Sequence, residues 1–216
     1  MTRRARLGVL ASGSGSNLEA IFEAATNAEF GADVAVVICN KADAFALTRA
    51  RQRNVPTRVV LHGAYPTRQA FDAELVRCLR EHEVDLVVLA GFMRIVTDTL
   101  LSAYADRVLN IHPALLPAFP GTHGPRQALD YGVKVAGCTV HFVDAGTDTG
   151  PIIAQATVPV LDDDTEESLA ARILVQEHRL LPAVVSAVAK GLVHVTRAGD
   201  GRPRVHIDAP GKRSLA

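Results

Sequence analysis

The chain has 216 residues, 48% of them apolar and 21% charged, and its 23 Lys and Arg balance 23 Asp and Glu. That composition belongs to a globular chain able to bury roughly 70% of its unfolded surface, and it excludes the disordered and fibrous classes. A zero formal charge argues against a nucleic-acid partner held by an overall positive field. The apolar stretch 86–93, which contains Gly91, falls far short of the ~20 residues of a membrane span. Arg3, Arg4 and Arg6 precede an apolar run of only residues 7–11, too short for a secretion signal. Cys39, Cys78 and Cys138 are odd in number and form no CxxC, so a disulfide framework or zinc knuckle is disfavoured and a reducing, cytoplasmic location is expected.

The first half alternates strand-like and helix-like segments. Residues 7–11 are an apolar run stopped by Ser12 and Gly13, and residues 18–25 continue with helical spacing. Residues 33–39 read as a buried strand, 42–53 as a helix and 57–61 as a short strand. Residues 67–82 predict a helix, because Phe71, Leu75 and Leu79 recur every four residues between charges. Residues 85–90 and 107–111 are two more apolar strands. Strands buried on both faces and separated by helices indicate an α/β fold with an open, Rossmann-like, mostly parallel sheet and helices on both faces. From Val135 the rhythm changes. Residues 135–143 alternate Cys138, Val140 and Phe142 with polar partners, and 152–160 form another strand, an antiparallel C-terminal addition. Residues 164–190 predict a long helix opened by the capping-box-like pair Asp164 and Glu167. A single domain is expected over residues 1–195, with a Gly-, Pro- and charge-rich tail, 196–216, loosely ordered.

In an open parallel sheet, ligands bind beyond the carboxyl ends of the strands. Four segments fall there: 13–17, 91–94, 110–113 and, less directly, 144–150. Gly13 to Asn17 lie between a strand and a helix, where glycines allow close backbone approach and helix N–H groups favour phosphate. The pattern is neither GxGxxG nor a P-loop, and the alternative is a turn capped by Ser16 or Asn17. Pro113, Pro117 and Pro120 stiffen the chain after His112. Histidine suits proton transfer near neutral pH, and Asn110, two residues earlier on the strand, projects from the same face. Asn110 could then donate to an oxyanion beside the imidazole; the alternative is a surface histidine bonded to a turn. Asp144 and Asp148 could orient an imidazole, form simple Asx turns, or join His141 and His112 around a metal, although no tight ligand spacing supports the metal. Glu177 falls within the inward stripe Leu169, Ile173, Leu181 and Val185, where a carboxylate needs a partner or ligand unless it snorkels past the core edge.

These residues match a known pattern. The run Leu109-Asn110-Ile111-His112-Pro113-Ala114-Leu115-Leu116-Pro117 resembles the hallmark of formyl-tetrahydrofolate-using transferases. Ser12-Gly13-Ser14-Gly15-Ser16-Asn17-Leu18 narrows the resemblance to the phosphoribosylglycinamide formyltransferase family of purine synthesis. Residues 40–44, 89–95 and 176–178 fit as well, so the likeness spans residues 7–195. The resemblance implies 10-formyltetrahydrofolate as co-substrate, no metal, and Asn110, His112 and Asp148 as the catalytic trio. In that trio Asp148 would hold the imidazole and favour its charged form. The resemblance further implies Gly15, Ser16, Asn17 and Glu177 as holders of the ribonucleotide. Arg68, Met93, Arg94, Ile95, Val96 and Asn110 would meet the folate. It implies small-molecule substrates, no nucleic acid, no membrane, and a monomer or homodimer. With the crowded prolines, it also suggests a cis Leu116–Pro117 bond. One departure stands out: a histidine common in the loop after the motif is missing, and His123 is followed by Gly124 and Pro125.

Two other readings compete. Another formyl-folate enzyme, a tRNA formyltransferase or a hydrolase, is expected to carry an extra RNA-binding or regulatory domain that residues 1–6 and 196–216 are too short to supply. A Rossmann oxidoreductase is expected to show a third glycine and a ribose-binding acid, where this chain has Leu18 and Cys39-Asn40-Lys41.

Overall fold

The computed structural model describes residues 3–197 and 201–208. Among them, seven strands form one sheet: β1 (Ala5–Ala11), β2 (Ala32–Cys39), β3 (Thr57–Val59), β4 (Leu86–Leu89), β5 (Val108–His112), β6 (Val135–Phe142) and β7 (Ile152–Pro159). Their spatial order is β3-β2-β1-β4-β5-β6-β7. The first five run parallel, and β6 and β7 are antiparallel additions. The helices are α1 (Ser16–Ala25), α2 (Phe45–Gln52), α3 (Arg68–Glu81), α4 (Asp98–Ala103), α5 (Gly124–Tyr131) and α6 (Glu166–Ala189).

Alternation along the strands divides the core in two. Leu7, Val9 and Val37 face Leu18, Ile21, Leu169, Ile173 and Leu181 of α1 and α6. Leu10, Val36, Ile38 and Val87 face Phe71, Leu75, Leu79 and Leu100 of α3 and α4. Both faces of the parallel sheet are therefore covered, as its apolar runs require. The chain leaves β1 toward β2 and β3, then returns to place β4 on the other side of β1. The loops after β1 and β4 therefore diverge at the switch point, where a crevice opens.

Helix α3 starts where Thr67 Oγ1 accepts the Ala70 N–H. Helix α6 also has a capping box, but one residue later than the sequence pattern suggests. Thr165 and Ser168 exchange side-chain-to-backbone bonds. Asp164 instead makes a two-pronged pair with Arg172 at 2.6 and 2.8 Å, an i,i+8 contact that propensity rules do not anticipate. The Leu116–Pro117 bond is cis, as expected.

The tail departs from the loosely ordered segment expected over 196–216. Strand β9 (Arg204–Ile207) pairs antiparallel with β8 (Val193–Thr196), because Val205 and Ile207 alternate with polar residues and find a ready edge. Residues 198–200 and 209–216 lie outside the described residues.

Candidate active site

A cleft of about 680 Å³ opens at the carboxyl ends of β4 and β5. It is lined by Arg68, Met93, Arg94, Ile95, Val96, Asn110, His112 and Asp148, so the sheet brings together all of the expected catalytic and folate positions. Asn110 and His112 lie two apart on β5 and share a face. The antiparallel register sets Asn110 opposite His141 and His112 opposite Thr139 on β6. This cross-strand pairing adds a histidine to the floor of the cleft.

The polar floor is nearly saturated with internal contacts. His112 is 4% exposed. Its Nε2 lies 2.8 Å from the Phe119 carbonyl oxygen, which can only accept, so Nε2 carries the proton there. Its Nδ1 faces Asp148 Oδ2 at 3.4 Å. The same Oδ2 accepts the Gly121 N–H at 2.8 Å. His141 donates from Nδ1 to the Phe142 carbonyl at 2.8 Å. Its Nε2 sits between Asn110 Nδ2 at 3.1 Å and Asp148 Oδ1 at 3.6 Å. Burial pushes the Asp148 carboxyl up, but the adjoining His141 and His112 imidazoles and the Gly121 N–H outweigh it. The carboxyl ends below the usual range, which suits a permanent negative charge beside two rings.

The residues expected to hold a ribonucleotide, Gly15, Ser16, Asn17 and Glu177, are not among those lining the cleft and gather at the start of α1. Gly15 precedes the helix in the left-handed region, at φ 71°. A Cβ there would come within 2.8 Å of Ala46, so both conformation and space demand glycine. The helix has no side-chain cap, which leaves its first N–H groups for a ligand. This corrects the alternative of a cap by Ser16 or Asn17. Asn17 instead donates from Nδ2 to Glu177 Oε2 at 2.7 Å, across 160 residues. Among the described residues Asn17 Oδ1 is buried without a partner. Glu177 is 7% exposed, so it faces inward as its stripe predicts. Burial raises its carboxyl pKa, opposed only by the Asn17 hydrogen bond.

Ser12, just after β1, ties the chain after β2 to the cleft wall after β4. Its hydroxyl donates to Asn40 Oδ1 at 2.7 Å and accepts the Met93 N–H at 2.8 Å.

Asp144 does not reach the imidazoles through its hydrogen bonds. Its Oδ1 closes an Asx turn by accepting from Gly146 N and Thr149 Oγ1. Among the described residues, no group of three or more His, Cys, Asp and Glu is arranged to hold a metal ion. No helix among them is long and apolar enough to cross a membrane. Sequence reasoning considered His141 only for a metal and passed over Ser12 and Asn40. A signal for His141 did exist: on a strand whose other face carries Cys138, Val140 and Phe142, its own face holds two polar residues, Thr139 and His141.

A family model described as formyl transferase matches residues 5–185. A phosphoribosylglycinamide formyltransferase of Mycobacterium tuberculosis is 53% identical over 185 residues, covering 86% of this chain and 85% of its own length. The crystal structure of glycinamide ribonucleotide transformylase 1 from Symbiobacterium toebii aligns with a TM-score of 0.90 and 52% identity, covering 96% of this chain and 95% of that one. The trifunctional purine biosynthetic protein adenosine-3 of Drosophila melanogaster is 47% identical over 191 residues, and the match covers 88% of this chain but only 14% of that protein's length.

Proposed function

The chain belongs to the formyl transferase family, and from that premise we infer that it transfers the formyl group of 10-formyltetrahydrofolate to the amine of 5'-phosphoribosylglycinamide, a step of purine biosynthesis. The observation that carries the reading is the meeting of Asn110, His112 and Asp148 at the floor of a cleft walled by Met93 to Val96.

In this reaction the glycinamide amine attacks the formyl carbon and negative charge grows on the formyl oxygen. Asn110 has two N–H groups. One is turned to His141, which fixes the amide and leaves the other to meet that oxygen. His112 moves the proton that leaves the amine, directly or through a water, toward the departing folate nitrogen. Its Nε2 is held by the Phe119 carbonyl, so that bond opens as the reacting atoms arrive. Asp148 keeps the ring oriented through Nδ1 and stabilises the charge it carries during transfer. The Gly121 N–H in turn holds Asp148.

The ribonucleotide is held at the start of α1. Gly15, Ser16 and Asn17 offer backbone N–H groups to its phosphate. The unpartnered Asn17 oxygen and the Glu177 carboxylate are suited to hydroxyl or amine donors of the substrate. Arg68 suits the carboxylates of a folate tail. Among the described residues, the backbone groups of Arg94, Ile95 and Val96 make no hydrogen bond within the chain, so they are available to the donor and acceptor edge of a pterin.

The test is an assay that follows the absorbance of deformylated folate with both substrates present. Product should form only when both are supplied. Folate deformylation without the ribonucleotide would favour the hydrolase reading, and a fluorescence change on adding NADH without formyl transfer would favour the oxidoreductase.

A further inference from the structure

Residues 93–96 line the cleft without belonging to a helix or strand. Met93 and Ile95 are 67% and 55% exposed. Such a segment presents a usable edge to a ligand only if its ends are fixed, since ordering it during binding would weaken affinity.

Both ends are fixed. At the start, the Met93 N–H donates to Ser12, and the neighbouring Phe92 ring stacks on Phe71 of α3 at 6.4 Å with planes 8° apart. At the far end, Thr97 donates from its backbone N at 2.5 Å and from Oγ1 at 2.8 Å, both to Oδ2 of Asp72. Asp72 follows Phe71 on α3 and is 1% exposed. A carboxylate buried this deeply is tolerated only when hydrogen-bonded, and among the described residues both bonds to its side chain come from Thr97. One turn earlier on the same helix, Arg68 lines the cleft. Helix α3 therefore carries one wall of the cleft and, through Asp72, grips the segment that forms another.

We propose that Asp72 is a positioning residue for the folate co-substrate, setting through Thr97 the place of residues 93–96 relative to Asn110 and His112. The proposal rests on the reading of this cleft as the folate site. Asp72 touches no reacting atom, so its removal acts on folate binding and leaves both the ribonucleotide cluster and the proton-transfer groups in place.

The experiment is steady-state kinetics of the full chain, with each substrate varied in turn, for the unaltered protein, Asp72→Asn, Thr97→Val and Thr97→Ser. Replacing the carboxylate by a neutral amide removes the charge from both Thr97 bonds and should raise the KM for 10-formyltetrahydrofolate about tenfold in Asp72→Asn. The KM for phosphoribosylglycinamide and kcat should stay within about twofold. Thr97→Val should shift in the same direction by a smaller factor, and Thr97→Ser, which keeps the hydroxyl, should behave as the unaltered protein. If Asp72→Asn does not fold, the contrast between Thr97→Val and Thr97→Ser decides. An unchanged folate KM in a folded Asp72→Asn, or in Thr97→Val when Asp72→Asn does not fold, overturns the proposal, as does a loss spread equally over kcat and both KM values. If the unaltered chain transfers no formyl group, the folate reading itself fails and the proposal falls with it.

Discussion

At the floor of the cleft, Asp148 accepts from Gly121 and faces His112 and His141, and its carboxyl lies below the usual range despite burial. Beside α1, Glu177 accepts, among the described residues, from Asn17 alone, and its carboxyl lies above that range. The two carboxylates differ in depth and in company: Glu177 is buried and its burial outweighs one donor, while Asp148 is half-buried and its neighbours outweigh burial. The first is wrapped in donors and has its charge secured, as a group that must orient an imidazole requires. The second has spare capacity, and among the described residues its partner Asn17 has an unpartnered oxygen. We read the first as arranged for proton transfer and the second as arranged to hold a ligand.

The strongest way to break this comparison is at the floor. Asp148→Asn keeps the size of the side chain and removes its charge. Its kcat should fall by about 10²–10⁴-fold, the range of positioned proton transfer, and His112→Ala should fall comparably. The double variant should lose far less than the product of the two, since the residues act as a unit. Multiplying losses, measured as kcat across pH, would show that the two act separately.

A smaller effect is expected from Asn17→Ala. Removing its hydrogen bond to a charged group and its free acceptor should weaken phosphoribosylglycinamide binding by roughly 1.5–3 kcal/mol. Folate affinity should be preserved. The opposite pattern in calorimetry would place Asn17 in the folate site.

The smallest effect sharpens the comparison through pH. Because the folded pKa of Glu177 is raised, the carboxyl takes up its proton at a higher pH than an ordinary glutamate. Ribonucleotide affinity that depends on the carboxylate should therefore decline as pH falls toward that raised value. The fold responds with the opposite sign: the stability linked to Glu177 is fully present below the ordinary glutamate range and is lost as pH rises through the raised pKa. Glu177→Gln should flatten both dependences. Affinity and unfolding midpoints followed from the ordinary glutamate range up past neutrality would test this, and an unchanged pH profile in the variant would remove the assignment.

Much of this arrangement was legible in the sequence, for physical reasons. Continuous apolar runs announced strands buried on both faces, and a stripe at steps of four turned Glu177 inward before any partner was known. The i,i+2 spacing of Asn110 and His112 put both on one face of β5. Other features needed the fold. The Asn17–Glu177 pair spans 160 residues, and no local rule links them. Helix α5 opens with Gly124 and Pro125 and buries only Gly124, Pro125 and Ala128, so its breakers hid it. Helix α4 has six residues and buries Leu100 alone, too little to show a period. The face pattern of β6 set His141 apart, but its partner Asn110 needed the antiparallel register.

The division between the two regions is tested most directly by titrating phosphoribosylglycinamide into Asp148→Asn and Asn17→Ala in a calorimeter, alongside turnover at saturating substrate. Asp148→Asn should bind the ribonucleotide as the unaltered chain does and turn over about 10²-fold or more slowly. Asn17→Ala should bind about tenfold or more weakly and, once saturated, turn over at close to the normal rate. An Asp148→Asn chain that loses its ribonucleotide affinity along with its turnover would contradict the division.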